Sequence, residues 1–174
     1  WAAGLLPEPE ATVTHLAEIT KTLNAKGRAA GLPLSAPDNV IGANQVATWQ
    51  TGVPLPLGLV AGVPEHEPRR WSAAPLLARG AADALLWVAS LGDLEPPETA
   101  APTVVLARAG FVPKRPVEVL IPVGTPGLDH AGSLYRSDGV VALPVRGLRA
   151  PVAPGVAEVV TALAAAVLPA GGRN

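Results

Sequence analysis

Three short apolar runs in the second half of the chain constrain its fold more than any other feature. They are residues 83–90 (Asp-Ala-Leu-Leu-Trp-Val-Ala-Ser), 103–106 and 117–123. A continuous apolar run bounded by loop residues reads as a strand buried on both faces of a sheet. Spacings of this size favour crossover connections, and so a parallel or mixed sheet, although residues 92–102 hold too much proline for a long helix. The expected class is α/β, with helices flanking the sheet.

The flanking helices are legible from their periodicity. Over residues 9–26, Pro9 suits the first helical position, and Val13, Leu16, Ile19 and Leu23 share one face. Lys21 and Lys26 favour the carboxyl end of that helix, with Gly27 beyond it. Residues 40–50 fit a short helix ending near Gly52. After an irregular stretch from 53 to 68, Ser72 caps a further short helix that stops at Gly80. Residues 133–145 read as a hairpin turning at Asp138-Gly139. Pro154 opens a last helix with the stripe Val156, Val159, Val160, Leu163 and Val167, and Pro169 closes it.

Composition narrows the function. The chain has 174 residues, 49% apolar and 16% charged, which fits a single α/β domain over residues 1–174, or the carboxyl-terminal part of a longer subunit. A net charge of −1 without charge blocks gives no reason to expect nucleic acid or a membrane surface as partner. Cysteine is absent, so no thiolate nucleophile, thiolate-held zinc or protein-held iron–sulfur cluster can come from these residues. No apolar stretch is long enough to span a bilayer, and a cytoplasmic location is the expectation. The sequence begins with Trp1, which fits either a processed chain or one continued upstream.

The polar residues supply no complete catalytic constellation. Histidine occurs three times, at His15, His66 and His130, never with metal-ligand spacing. Glu65-His66-Glu67 reads as three solvated side chains, because consecutive side chains diverge. Asp129, His130 and Ser133 superficially suggest a triad, but adjacent residues rarely orient one another for base catalysis. The turn Gly124-Thr-Pro-Gly127 follows a strand, where α/β sheets tend to bind ligands, though a tight turn explains its glycines equally well. No catalytic, cofactor-binding or metal-ligating residue is assigned.

Two segments carry a resemblance. Asn39-Val-Ile-Gly-Ala-Asn-Gln-Val-Ala-Thr-Trp-Gln-Thr-Gly52 resembles a stretch of the B subunit of formylmethanofuran dehydrogenase, which has Asn-Val-x-Gly and Thr-Trp-Gln-Thr-Gly at this spacing. Residues 121–140, from Ile-Pro through Tyr135-Arg-Ser-Asp-Gly-Val140, resemble the same family's later segment. Order and spacing agree over roughly residues 10–168. The resemblance implies part of a molybdopterin-oxidoreductase-type subunit, which in the family holds a molybdenum or tungsten pterin through Cys or selenocysteine, and an iron–sulfur cluster through further cysteines.

This chain departs from that pattern. It lacks cysteine, and Ser90-Leu-Gly-Asp-Leu-Glu-Pro-Pro97 replaces the family's Ser-Asp-Pro-Gly, so Asp93 and Glu95 should repel a pterin dinucleotide's phosphates. The segment after Gly139 is less basic than the family's. The cofactor-free B subunit of the methylotroph formyltransferase/hydrolase complex fits these departures. That resemblance implies a structural subunit in one-carbon metabolism, with a methanofuran-type carrier and a metal held by partner subunits. Those partners would be amidohydrolase-like, formyltransferase and further scaffold subunits. The alternatives are an active dehydrogenase subunit with its ligand-bearing part elsewhere, and a stand-alone small-molecule binding domain. On the structural reading, Trp49 should be buried between helix and sheet, Arg136 should meet a carboxylate or a carbonyl, and Asp138 should shape its turn. The apolar residues Val53, Leu55, Leu57, Leu59 and Val60 should form a surface that partners cover.

Overall fold

The computed structural model describes residues 9–32, 34 and 38–167. Helix α1 spans Pro9–Asn24 and α2 Val40–Thr51, followed by the short strands β1 (Gly58–Val60) and β2 (Val63–Glu65). Helices α3 (Pro68–Trp71) and α4 (Ala73–Ala78) precede strands β3 (Leu85–Ala89), β4 (Thr103–Arg108) and β5 (Val119–Val123). Strands β6 (Gly132–Tyr135) and β7 (Ala142–Val145) and helix α5 (Val156–Val167) complete the order.

The three apolar runs form one parallel sheet in the order β3-β4-β5, as their pattern predicts. Strand β4 is central, and Val105, Leu106 and Ala107 are fully buried. Its side chains alternate between two small cores. Leu106 joins Val123 and Val159 under α5, with Val104, Ile121, Val156 and Leu163 packed around them. Val105 and Ala107 join Ala89 and Phe111 on the opposite face, with Trp87 and Val117 beside them. Neither crossover is helical: residues 90–102 and 109–118 run as turns and extended chain. The proline content foretells that for the first connection.

The edge strand β3 departs from expectation. Leu86 and Val88 are 48% and 44% exposed, because α5 covers β4 and β5 and stops short of β3. The apolar stripe of α1 is likewise exposed at Val13, Leu16, Ile19 and Leu23. Periodicity reports which residues share a face; it does not report whether anything within the chain covers that face. Gly27 closes α1 through its N–H to the Leu23 carbonyl (3.1 Å) without a left-handed φ, and the Asn24 side chain bonds both N–H and C=O of Ala29. On α5, Val160 and Val167 of the predicted stripe are exposed, and Pro169 lies outside the described residues.

The stretch read as irregular is an ordered unit. Ala61 and Gly62 both have positive φ (50° and 82°), the requirement of a tight hairpin turn that joins β1 to β2. His66 Nδ1 lies 2.9 Å from the carbonyls of both Pro54 and Pro56. Glu65 accepts from the Trp71 indole (3.0 Å) and from Arg70 (3.1 Å), whose guanidinium stacks on the Trp71 ring. Glu67 caps α3 at Arg69 N–H, so all three residues of the Glu-His-Glu triplet hold this unit together. Ser72 occupies the predicted cap of α4, but its hydroxyl donates back to the Pro68 carbonyl (2.6 Å) instead of capping.

Trp71 lies flat against Gly58, where any Cβ would overlap the indole ring. Gly58→Ala should therefore destabilise the protein by about 1–3 kcal/mol through overpacking. Chemical denaturation checks this, with Gly62→Ala as a second variant that acts through φ alone.

Candidate functional site

The two segments that carry the sequence resemblance meet, although some ninety residues separate them. Asn39 joins them. It precedes α2 with φ 58° and follows Asp38 with φ 63°, so two successive non-glycine residues sit in the left-handed region. Asn and Asp tolerate that region best among residues with a side chain. Asn39 makes no cap bond to α2. Its side-chain amide instead reaches β6, where Nδ2 donates to the Ser133 carbonyl (3.1 Å) and Oδ1 accepts from Tyr135 N–H (2.8 Å). One amide thus behaves as a strand residue along the edge of β6. Asp38 packs against Gly92 in the loop after β3, and Gly42 leaves room for the folded-back Asn39 side chain.

Between α2, β6 and the end of β3 lies a trough of about 860 Å³. Val46 and Trp49 form one wall, Leu134 and Tyr135 the other, and Ser90 and Leu91 close one end. Trp49 is 69% exposed. The expectation of a buried Trp49 is overturned: it looks outward from α2 over the trough, and Asn39, not Trp49, ties this helix to β6. At the other end of α2, Gly52 (φ 79°) closes the helix on Thr48, and Asn44 Oδ1 accepts from Leu55 N–H (2.8 Å), drawing the following segment under the trough.

The expectations for Arg136 and Asp138 hold. Arg136 Nε donates to Asp138 at 2.8 Å, and Asp138 accepts from Val140 N–H (3.1 Å), which builds the β6–β7 turn. Arg136 and that backbone bond hold the Asp138 carboxyl below its ordinary range.

The remaining candidates have partners within the fold. Asp129, only 3% exposed, accepts from Arg149 Nε (2.7 Å) and Thr125 N–H (2.8 Å). The Arg149 hydrogen bond, followed by the Thr125 N–H, holds its pKa down to about 2. His130 places Nδ1 2.9 Å from the Ala131 carbonyl and Nε2 3.3 Å from that of Gly124, while the Ser133 carbonyl serves Asn39. Asp129 and His130 thus bond Arg149 and backbone groups, and among the described residues no hydrogen bond links Asp129, His130 and Ser133 to one another. The space beside Gly124 is filled by Ala153, Asp129 and His130, and Gly127 has φ 82°, so packing and turn geometry account for both glycines. Among the described residues no three acidic or histidine side chains cluster as metal ligands, and no helix is long and apolar enough to cross a membrane.

The loop after β3 gives both of its carboxylates partners. Asp93 pairs with Arg108 at 2.7 Å, and Glu95 accepts from Lys114 N–H (3.2 Å). Both carboxylates fasten the loop to β4 and its following turn. The charge of Asp93 is thereby paired with that of Arg108. Sequence reasoning also gave no role to Asp38, Asn39 or Asn44. The available signal was the pair Asp38-Asn39 directly before a helix, where a left-handed turn is tolerated.

No protein-family model matches the chain, whereas individual proteins do. The B subunit of tungsten-containing formylmethanofuran dehydrogenase 2 from Methanocaldococcus jannaschii is 30% identical over 134 residues, covering 74% of this chain and 31% of that protein. The B subunit of the formyltransferase/hydrolase complex of Methylorubrum extorquens is 34% identical over 128 residues, covering 71% of this chain and 35% of the relative. A chain in the crystal structure of that complex with methylofuran superposes with a TM-score of 0.69 and 31% identity, over 84% of this chain and 42% of its own length. The fold is thus that of part of a subunit from a multi-subunit complex. The chain belongs to the family formed by the B subunits of formylmethanofuran dehydrogenases and of the formyltransferase/hydrolase complex. It spans about a third of the length of the curated relatives it matches.

The Asn39 bridge can be tested by stability. Asn39→Asp keeps the side-chain shape and the left-handed tolerance but sets a carboxylate oxygen against the Ser133 carbonyl. It should cost about 1–3 kcal/mol in chemical denaturation, and Asn39→Gly, which relaxes φ, should not restore the lost stability. A second expected outcome concerns pH. The Asp129 pKa falls from about 3.9 in the unfolded chain to about 2 in the fold, so the stabilisation is complete above pH ~4. It should fade as pH drops toward 2, and Asp129→Asn should flatten this part of the stability–pH curve.

Proposed function

We propose that this chain is a structural subunit, without an active site of its own, in a formyltransferase/hydrolase-type complex of one-carbon metabolism. In this reading the complex moves a formyl group from tetrahydromethanopterin to a methanofuran-type carrier and releases formate by hydrolysis. The chemistry belongs to an amidohydrolase-like subunit that holds a metal and to a formyltransferase subunit, while this chain, as a single α/β domain, helps to position them. The observation that carries the reading is the structural likeness to the formyltransferase/hydrolase complex, at 31% identity over 84% of the chain.

Two features support it. Cysteine is absent from the sequence, so a thiolate ligand to molybdenum or tungsten cannot come from these residues. The distribution of apolar surface favours an assembly. Among the described residues seven apolar side chains are buried and twenty-seven large ones are exposed, which leaves apolar surface for partners to cover. They include Leu55, Leu59 and Val60 of the segment expected to meet partners, while Val53 and Leu57 are half-buried. The alternative of an active dehydrogenase subunit draws on the similarity to the tungsten enzymes.

Co-expression with the other subunits, followed by metal and pterin analysis, separates the two. The expected result is a stable assembly that releases formate and holds neither molybdenum, tungsten nor pterin. Stoichiometric tungsten or molybdenum with a pterin would establish the dehydrogenase instead. A chain that purifies alone and binds none of the subunits would overturn both.

A further inference from the structure

We infer that the trough between α2 and β6 is the docking site for an apolar, acid-poor segment of a partner subunit, with Trp49 as its anchor; this rests on the assembly reading above. The trough is built before anything enters it. Asn39 makes two hydrogen bonds along one edge of β6 and Asn44 holds Leu55, so the walls are fixed by hydrogen bonds and little ordering remains to oppose binding. Into that frame the fold sets Trp49, 69% exposed, opposite the half-buried Tyr135. Trp and Tyr are the side chains most enriched among residues that dominate interface energies, and an indole left this bare offers on the order of 170 Å² for burial.

Charge and shape select the occupant. Among the described residues that line the trough, Asp38 alone carries a charge, and no cationic side chain faces it. An anionic ligand or an acidic peptide would meet repulsion with no compensating partner. The remaining walls are largely apolar, with Val46 and Leu55 both exposed. The trough is partly open to solvent, whereas small-molecule sites enclose most of the ligand. Through Leu55 it runs into the exposed apolar residues of 55–60, so one polypeptide can lie across both.

The test uses the chain and the other subunits of its complex. Trp49→Ala and Val46→Asp should each weaken association at least tenfold, measured by biolayer interferometry. Far-UV circular dichroism and the melting temperature of the chain should stay unchanged, since both side chains are exposed. Val112→Ala, an exposed apolar truncation outside the trough, should bind normally. A photo-crosslinker at position 49 should capture a partner-subunit peptide poor in Asp and Glu. Unaltered affinity of both trough variants would overturn the inference and leave the assembly reading intact. Crosslinking to a second copy of this chain, or quenching of Trp49 fluorescence by methylofuran alone, would also overturn it. Failure of the wild-type chain to bind any subunit would overturn both readings.

Discussion

The arrangement of the amino-terminal half depends on one side chain. Asn39 spans 94 residues to Ser133 and 96 to Tyr135, and among the described residues no other side-chain hydrogen bond ties α2 to the hairpin. Its two bonds need the donor and acceptor of one planar amide, which among side chains only Asn and Gln offer. The left-handed backbone that aims the amide outward is tolerated by Asn and poorly by Gln. These requirements together single out Asn. Asp38 continues the same turn and rests on Gly92, so the start of α2 is held at two places, the end of β3 and the edge of β6.

The sheet shows the opposite economy. Three parallel strands would ordinarily be covered on both faces by crossover helices, yet both crossovers here lack helices and only α5 covers part of one face. The second face is closed by Phe111, Trp87 and Val117, drawn from a turn, a strand and a loop. The consequence is a small central core with broad apolar margins at α1, β3 and the 55–60 segment. Exposed apolar margins of this kind are what an interaction surface offers.

Several polar residues that chemistry could use have partners within the fold. Asp129 and Arg149 hold the turn after β5, His130 fills the space against Gly124 and Gly155, and His66 gathers two carbonyls of a proline-rich segment. Asp93 and Glu95, which read as an exposed acidic loop, are fastened to Arg108 and to the backbone. Asp129, His130, His66 and Glu95 thereby satisfy backbone groups where proline and glycine leave no regular ladder to do so.

The sequence by itself determined the strands of the central sheet, the two long helices, the extent of α2 and the Asp138-Gly139 hairpin. Each is a local matter of periodicity, capping and turn chemistry within a few residues. The family resemblance was legible as well, because its motifs are local strings. Only the tertiary structure decided that Trp49 faces outward, that Asp93 is paired, and that Asn39 bridges the two motifs. Those outcomes rest on contacts between segments distant in sequence or on which face a neighbour happens to cover. Periodicity fixes a residue's place on its own helix or strand and is silent about what stands opposite.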